Sequence, residues 1–354
     1  MAESLPHPTA IGRPKNEIQR DFISIEQTRC SDPIWHFRVG LPHACAIGPQ
    51  GEEPPGDDEP RTLGLFHREN PPADIEVTGV MALREVDPAD YLDCLLEVEQ
   101  KNVVSRKSVP MRGGVVGDAV ATWKAEGDKT FAGRYFCTKW GPRIFVLEFR
   151  TPKEHYEQLA EDFFVSIATF SVLDDSLGLF AEKVHTVSNT APIPWRVVVP
   201  ESWIIKPEPN TDKVASFQAT QVPVVPSAEG ERLYGKLSFA VVARSEAKTG
   251  RAAANAYLSA VRDLGIAVET DAFVEEPAAD PFEKSWLLVS NVTKQNKNTK
   301  NTKNPGELRC RVLMHKKAWV IAGVLGPVRK DSALAWMQNK RVLDIVTTTL
   351  KLKS

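Results

Sequence analysis

The 354-residue chain lacks the features that mark secreted and membrane proteins. Its five cysteines form no Cys-x-x-Cys pair, and a chain of this length can build a core without disulfides, so free thiols in a reducing compartment are expected. The longest apolar run, 318–325, is far shorter than the ~20 residues that a membrane-spanning helix needs. Residues 1–20 contain no apolar stretch typical of a secretory signal. We therefore expect a cytoplasmic protein with no membrane insertion.

The chain also lacks an excess of either charge. Its 44 Lys and Arg and 46 Asp and Glu give a formal net charge of −2, which provides no global field for nucleic acid or an anionic membrane. The lysine-rich segment 294–304 contains no aromatic residue on which a base could stack, so we interpret it as a solvated loop and expect no nucleic-acid partner. A contact between this segment and the acidic segment 49–60 of a neighbouring copy is a further possibility.

Motifs for catalysis, nucleotide binding and metal binding are missing as well. The sequence has no Gly-x-Ser-x-Gly elbow, and its glycine-rich stretch 111–117 lacks the Lys-Ser/Thr of a phosphate-binding loop. The set Cys30, His36, His43 and Cys45 lacks the close ligand pairs of structural zinc sites. We therefore expect no catalytic residues, no cofactor and no metal, and a protein that is not an enzyme.

What the chain does contain is a weak internal repeat. Residues 33–42 and 192–200 each form a short predicted strand that ends at a proline, where pairing stops. In both halves a strand, a helix, three strands and a second helix follow in the same order. Asp87 and Pro88 supply a cap and a first-turn proline for the first of these helices. The second half is longer mainly because segment 294–304 lies between two of its strands.

This repeat predicts two domains of the same α+β class. Each is expected to be an antiparallel β-sheet with helices packed on one face. The predicted boundaries are an N-terminal tail at 1–20, a first domain at 21–175, a linker at 176–190 and a second domain at 191–354.

The second half carries the motif Val199-Pro200-Glu201-Ser202-Trp203 at the end of a strand, and both halves end in a strand, a Thr-Pro or Gly-Pro pair and a helix. On these features the chain resembles the PsbP/DcrB-like superfamily in two tandem copies. The resemblance implies a non-enzymatic binding module. The nearest group in character is the Eag-type chaperones of bacterial type VI secretion, which work as paired domains and hold apolar segments of secreted effectors. Here one chain would form the pair as a covalent pseudo-dimer, with further oligomers possible.

Strand patterning gives an independent argument for binding. Leu237, Phe239 and Val241 share one face of their strand, Ala240 and Val242 lie on the other, and segment 318–325 is apolar on both. A sheet that faces water on one side alternates apolar and polar residues, so a second face of this kind must be covered. The cover could be the sister domain or local loops, which is the commoner arrangement, another subunit, or the apolar segment of a client.

We therefore predict a non-enzymatic adaptor or chaperone that binds an apolar or helical segment of a secreted effector. The alternative is a structural or assembly protein whose sheets pack against each other and whose loops bind partners. A small-molecule-binding protein or hydrolase ranks third. Trp203, which follows the strand-ending proline, is expected at the sheet rim, where an aromatic side chain suits an interface. The predicted partner-binding residues are Trp203, Ile205, Phe239, Val241, Trp286 and Leu288.

Overall fold

The computed structural model describes residues 4–28, 30–48, 59–111, 114–124, 129–174, 176, 178–222, 234–295 and 303–353. These residues form antiparallel sheets and helices in two units, Met1–Ala181 and Glu182–Ser354. The α+β class in two halves is thereby confirmed. Among the described residues, no helix combines the length and the apolar character needed to cross a membrane.

The described residues of the first unit form a three-stranded and a seven-stranded sheet and three α-helices. Its elements in chain order are α1 (Lys15–Asp21), β1 (Phe22–Gln27), β2 (Phe37–Pro42), β3 (Cys45–Ile47), β4 (Arg61–Arg68), β5 (Ala73–Met81), α2 (Pro88–Val98), β6 (Asn102–Met111), β7 (Gly114–Lys124), β8 (Thr130–Trp140), β9 (Arg143–Pro152), α3 (Tyr156–Thr169) and β10 (Ser171–Val172). The strand orders are β1-β2-β10 and β3-β4-β5-β9-β8-β7-β6.

The second unit repeats this plan. Its elements are β11 (Val184–Asn189), β12 (Trp195–Pro200), β13 (Trp203–Pro207), β14 (Val214–Gln221), β15 (Lys236–Ala243), α4 (Gly250–Asp263), β16 (Ile266–Val268), β17 (Val274–Glu276), β18 (Lys284–Gln295), β19 (Lys303–Met314), β20 (Ala318–Gly326), α5 (Ala333–Thr348) and β21 (Lys351–Leu352). The strand orders are β11-β12-β21 and β13-β14-β15-β20-β19-β18-β16, and β17 also pairs with β18. Both units therefore have the same strand order in both sheets.

Two parts of the chain lie differently from the predicted boundaries. Residues 184–189, expected in a linker, form β11 and pair with β12 along its whole length. The expected N-terminal tail contains α1, and its His7 side chain is almost fully buried against the first unit. Residues 184–189 are held by hairpin pairing with the strand that follows, whereas the position of His7 depends on Asp118, which is distant in the sequence.

The two helices of each unit that pack on the large sheet lie on opposite faces of it rather than on one. In the second unit, Val320, Ala322 and Val324 of β20 join the core beneath α5 and the three-stranded sheet. The alternate residues Trp319, Ile321 and Leu325 join a separate core beneath α4. Strand β20 is apolar throughout because each face is covered by a different helix of its own unit.

The same division holds in the first unit. Gly117 of β7 faces α2 so closely that a Cβ there would lie 2.9 Å from the Cα of Ala89, while the neighbouring Asp118 faces the α3 side. Beyond α2, the second face is polar and carries half-buried charged side chains such as Asp74, Glu148 and Arg150. Sequence reasoning offered the sister domain, local loops, another subunit or a client as the cover of the second face in the second unit, and α4 of the same unit packs on it.

Candidate functional site

The six residues predicted to bind a partner do not form one site. Trp203, Phe239 and Val241 are buried in the core beneath α5, with Ile205 packed against its edge. Leu288 is buried in the other core, beneath α4, and the half-buried Trp286 packs against it. Trp203 begins the edge strand β13, as a rim position requires, but its ring is buried in this core beside Gly235 and is not open to a partner. Their partner-binding role stays a prediction, and a surface for a partner has to be found elsewhere.

A half-buried aromatic and cationic cluster lies on the second unit, on the α5 side of the sheet. The indole Nε1 of Trp336 donates to Oε1 of Glu307 at 2.9 Å, and Nε of Arg309 donates to the same oxygen at 2.5 Å. The charged groups of Arg309, Arg329 and Lys340 lie 5.1, 5.4 and 5.7 Å from the centroid of the Trp336 ring. Three cations thus surround one half-buried tryptophan, and one carboxylate is bonded to it.

Val289 extends this cluster across the sheet, since it lies directly opposite Arg309 on β18 and is 42 % exposed. We call Val289, Glu307, Arg309, Arg329, Trp336 and Lys340 the Trp336 surface. Next to it, Arg311 donates to Asp344 at 2.8 Å and to Glu276 at 3.3 Å. The sequence signals were the alternating Arg309 and Arg311 on a strand and Lys340 four residues after Trp336 on a helix, and the sequence analysis assigned none of these residues to a site.

The first unit places a serine, a histidine and an aspartate in line. Nδ1 of His7 lies 2.8 Å from Oγ of Ser105, and its Nε2 lies 3.0 Å from Oδ1 of Asp118. Asp118 also accepts from Arg134 at 3.0 and 2.7 Å. Burial alone would raise the pKa of Asp118, but the hydrogen bonds from His7 and Arg134 outweigh it and lower the pKa. Because its charge is already neutralised by Arg134, Asp118 is a poor partner for a histidine base. The contacts of His7 with Ser105 and Asp118 instead hold the N-terminal segment in place.

On the second face of the first unit, the part that α2 leaves uncovered contains Glu148, a carboxylate with a raised pKa. The Tyr135 hydroxyl donates to Oε1 of Glu148 at 3.1 Å. Burial raises the pKa of Glu148, with Glu99 adding to the increase, and the nearby Lys101 lowers it only in part. Nζ of Lys101 lies 3.8 Å from the centroid of the Trp123 ring. This arrangement is a polar sheet surface with paired groups.

The cavity beneath α3 does not suit a small-molecule ligand. It is lined by Cys45, Arg68, Asp162 and Ser166 among others, and its volume is about 10 Å³. Such a space holds about one water molecule, whereas ligand pockets measure ~300–1,000 Å³. Within the part of the chain that the structure describes, no three His, Cys, Asp or Glu residues lie together as metal ligands. In the set considered for zinc, His36 Nε2 instead lies 3.0 Å from the Cys30 carbonyl oxygen.

No protein-family model matches the chain, and no curated protein matches its sequence. Among solved structures, the chain is similar to cyanobacterial PsbP (CyanoP) from Synechocystis sp. PCC 6803, with 11 % identity and a TM-score of 0.32 over 43 % of this chain and 92 % of that one. It is similar to the Ran-binding protein Mog1p of Saccharomyces cerevisiae, with 11 % identity and a TM-score of 0.30 over 48 % of this chain and 96 % of that one.

A third similarity extends over nearly the whole chain. The T6SS immunity protein TplEi from Pseudomonas aeruginosa aligns over 94 % of this chain and 97 % of its own, with 11 % identity and a TM-score of 0.23. At these identities and TM-scores, the three similarities carry no argument about function. The function has to be argued from the residues of this protein.

Proposed function

We propose that this protein is a non-enzymatic protein-binding adaptor and that its partner binds to the Trp336 surface of the second unit. The observation that carries the proposal is a half-buried tryptophan on a helix, with three basic side chains within 6 Å of its ring centroid. Tryptophan and arginine are the residues most enriched among those that dominate binding energy at protein interfaces.

The scaffold beneath this surface is rigid. Trp336 lies on the first turns of α5, which Ser332 caps by accepting from the Ala335 N–H, and the neighbouring Ala335 and Met337 are buried. Arg309 lies on β19, which pairs with strands on both sides. A binding group held on paired strands and a packed helix loses little conformational entropy when a partner docks, which favours affinity.

The finer part of the proposal concerns the partner. By its resemblance to Eag-type chaperones, we propose a cytoplasmic bacterial protein whose partner is an effector of type VI secretion. The two-sided apolar patterning that first favoured a client segment does not support this choice, because α4 accounts for the patterning in the second unit. The Trp336 surface supports binding of a protein and leaves its identity to experiment.

Co-expression with a type VI secretion effector from the same genome tests the proposal. We expect the effector to become more soluble and to co-elute with the protein in size-exclusion chromatography. Trp336→Ala should abolish co-elution, whereas Trp140→Ala should retain it. Trp140 is a suitable control because it is 37 % exposed and lies in the first unit. An effector that is equally soluble alone and elutes separately would overturn the proposal, and so would co-elution that Trp336→Ala leaves unchanged.

A further inference from the structure

Residues 4–14 form an extended segment at the start of the first unit, which we call the strap. Prolines occupy three of its eleven positions, and they favour an extended chain and supply no N–H for a strand ladder. Within the described residues, the strap pairs with no strand, and it leads into α1, a helix in which no residue is buried. Leu5 packs against the core of the unit, and the strap is otherwise held mainly by polar contacts.

The first half of the strap is bound by side chains of the sheet. The His7 side chain lies between β6 and β7, as described above. Nζ of Lys107 on β6 donates to the carbonyl oxygen of His7 at 2.6 Å. Nη2 of Arg134 on β8 donates to the carbonyl oxygen of Pro8 at 2.8 Å. Two basic side chains therefore bind the backbone of the strap and not only its side chains.

The second half of the strap is bound by two carboxylates of α3. Oε1 of Glu161 accepts from the N–H groups of Gly12 and Arg13 at 2.8 and 3.0 Å. The guanidinium of Arg13 pairs with Asp162 and lies 3.5 Å from Oε2 of Glu161. This end of the strap is therefore held by its backbone N–H groups and by one positive charge.

The residues that hold the strap form a polar site for an extended chain. They are Ser105, Lys107, Asp118, Arg134, Glu161 and Asp162, which we call the strap groove. The groove donates to carbonyl oxygens on the sheet side and accepts from N–H groups and a basic side chain on the α3 side. Backbone hydrogen bonds with a few charge contacts are the interactions by which domains bind extended peptides.

The strap leaves two donors beneath it unpaired. Within the part of the chain that the structure describes, neither Nη1 of Arg134 nor the Tyr156 hydroxyl has a hydrogen-bond partner, although both residues are fully buried. Burial raises the pKa of Tyr156, and both Arg134 and Asp118 act on it, which places the hydroxyl near their ion pair. An unpaired buried donor destabilises the arrangement that buries it, and water would solvate both donors once the strap lifts. These two donors therefore favour opening of the strap.

We propose that the strap is displaceable and that the strap groove binds an extended segment of a protein partner in its place. The partner segment would offer backbone carbonyl oxygens to Lys107 and Arg134 and a basic side chain to Asp162, as the strap does. The strap of a second copy would make the same contacts without the advantage of the tether, so we assign the groove to a different protein. This site lies on the first unit and is separate from the Trp336 surface.

A fluorescence-anisotropy titration of the full-length protein tests the proposal. The probe is a fluorescein-labelled peptide with the sequence of residues 4–14. His7→Ala combined with Arg13→Ala weakens the internal strap and leaves every residue of the groove unchanged. We expect this double variant to bind the probe about tenfold more tightly than the wild-type protein, in which the closed strap competes for the groove. A peptide with Ala in place of the same His and Arg should bind neither protein.

Control substitutions separate the groove from its surroundings. Lys15→Ala combined with Arg20→Ala, which changes exposed basic residues of α1, should leave binding as weak as in the wild-type protein. Glu161→Gln, added to the double variant, should weaken probe binding about tenfold, a loss typical of a charge-assisted hydrogen bond. Glu157→Gln is the matched control, because Glu157 is exposed and lies one turn earlier on α3.

Hydrogen exchange measured by mass spectrometry tests the role of the unpaired donors. Tyr156→Phe removes one of them, so the closed strap should become more stable and its amides should exchange about fivefold more slowly. A tyrosine that merely supports the fold would give the opposite result, since its loss would speed exchange. Faster or unchanged exchange in Tyr156→Phe would contradict the argument that the strap is poised to open.

Equal probe binding by the wild-type protein and the double variant would overturn the inference, and so would no binding by the double variant. Equal losses from Glu157→Gln and Glu161→Gln would also overturn it. Light scattering during size-exclusion chromatography checks the remaining occupant. A wild-type dimer that the double variant cannot form would show that a second copy fills the groove and that the assignment to a different protein is wrong. None of these outcomes affects the Trp336 surface, which is tested by co-elution with the effector.

Discussion

Asp118→Asn is expected to destabilise the first unit strongly, although it replaces only one carboxylate oxygen by an amide nitrogen. In the native protein, Asp118 accepts two hydrogen bonds from Arg134, and the Arg134 side chain is fully buried. Asparagine keeps one acceptor oxygen and loses the charge. The substitution therefore leaves a buried guanidinium without a counter-ion. Breaking a buried ion pair in this way costs about 3–5 kcal/mol, because the remaining charge has no compensation for its lost hydration.

Differential scanning calorimetry measures this effect on the transition of the first unit. For a unit of 150–250 residues, ~1 kcal/mol corresponds to about 2–4 °C, so the melting temperature should fall by about 6–20 °C. Asp93→Asn is the matched control, because Asp93 pairs with Arg106 at 3.0 Å on the surface, where the arginine side chain is 53 % exposed. A surface pair of this kind contributes about 0–1 kcal/mol.

The pH dependence supplies a second check of the same pair. The pKa of Asp118 is lowered in the folded protein, so the pairing stabilises the fold above the ordinary carboxyl pKa. That stabilisation is lost as the pH falls through the lowered pKa. Asp118→Asn, which cannot titrate at this position, should lack this part of the acid destabilisation. A melting temperature no lower than that of Asp93→Asn, or an unchanged acid profile, would refute the reasoning.

Three further predictions test the layers of the fold. Gly323→Ala should destabilise the second unit by about 1–3 kcal/mol in calorimetry, because its Cβ would lie 2.3 Å from the Tyr257 ring of α4, whereas Gly178→Ala, in open space, should have little effect. Glu148→Gln should raise the melting temperature at neutral pH, since a raised folded pKa means that the charged form lowers stability above the ordinary carboxyl pKa; an unchanged or lower value would contradict this. Cys310 is buried and its pKa is raised to about 12, so a thiol reagent at about pH 8 should modify it only after denaturant is added; rapid native labelling would contradict its burial.

Local sequence signals predicted the elements of each unit well. Asp87 caps α2 by accepting from the Ala89 N–H, and Pro88 occupies the first turn, as the sequence indicated. The strands that end at Pro42 and Pro200 form β2 and β12 of the two small sheets. These features depend on residues close together in the chain, where backbone geometry and capping act directly.

The candidate site could not be predicted in the same way. An all-apolar strand such as β20 indicates that both of its faces are covered, but its sequence does not indicate which element covers each face. Cover by a client segment and cover by the unit's own α4 would both require the same apolar pattern along β20, and only the packed structure distinguishes the two. Similarly, Trp336 has the helical spacing of a core residue, and only the packed structure shows that it is half-buried with three basic side chains around its ring.

The sequence by itself determined the repetition of one plan in two halves and the main strands and helices of that plan, with several of their caps and ends, whereas α1 and β11 were not predicted. It could do so because periodicity, proline positions and capping are short-range properties of the chain. The tertiary structure decided which helix covers which face and that the residues predicted to bind a partner lie in two separate cores. Burial is a property of the assembled fold, since it depends on residues more than a hundred positions apart, such as Pro8 and Arg134.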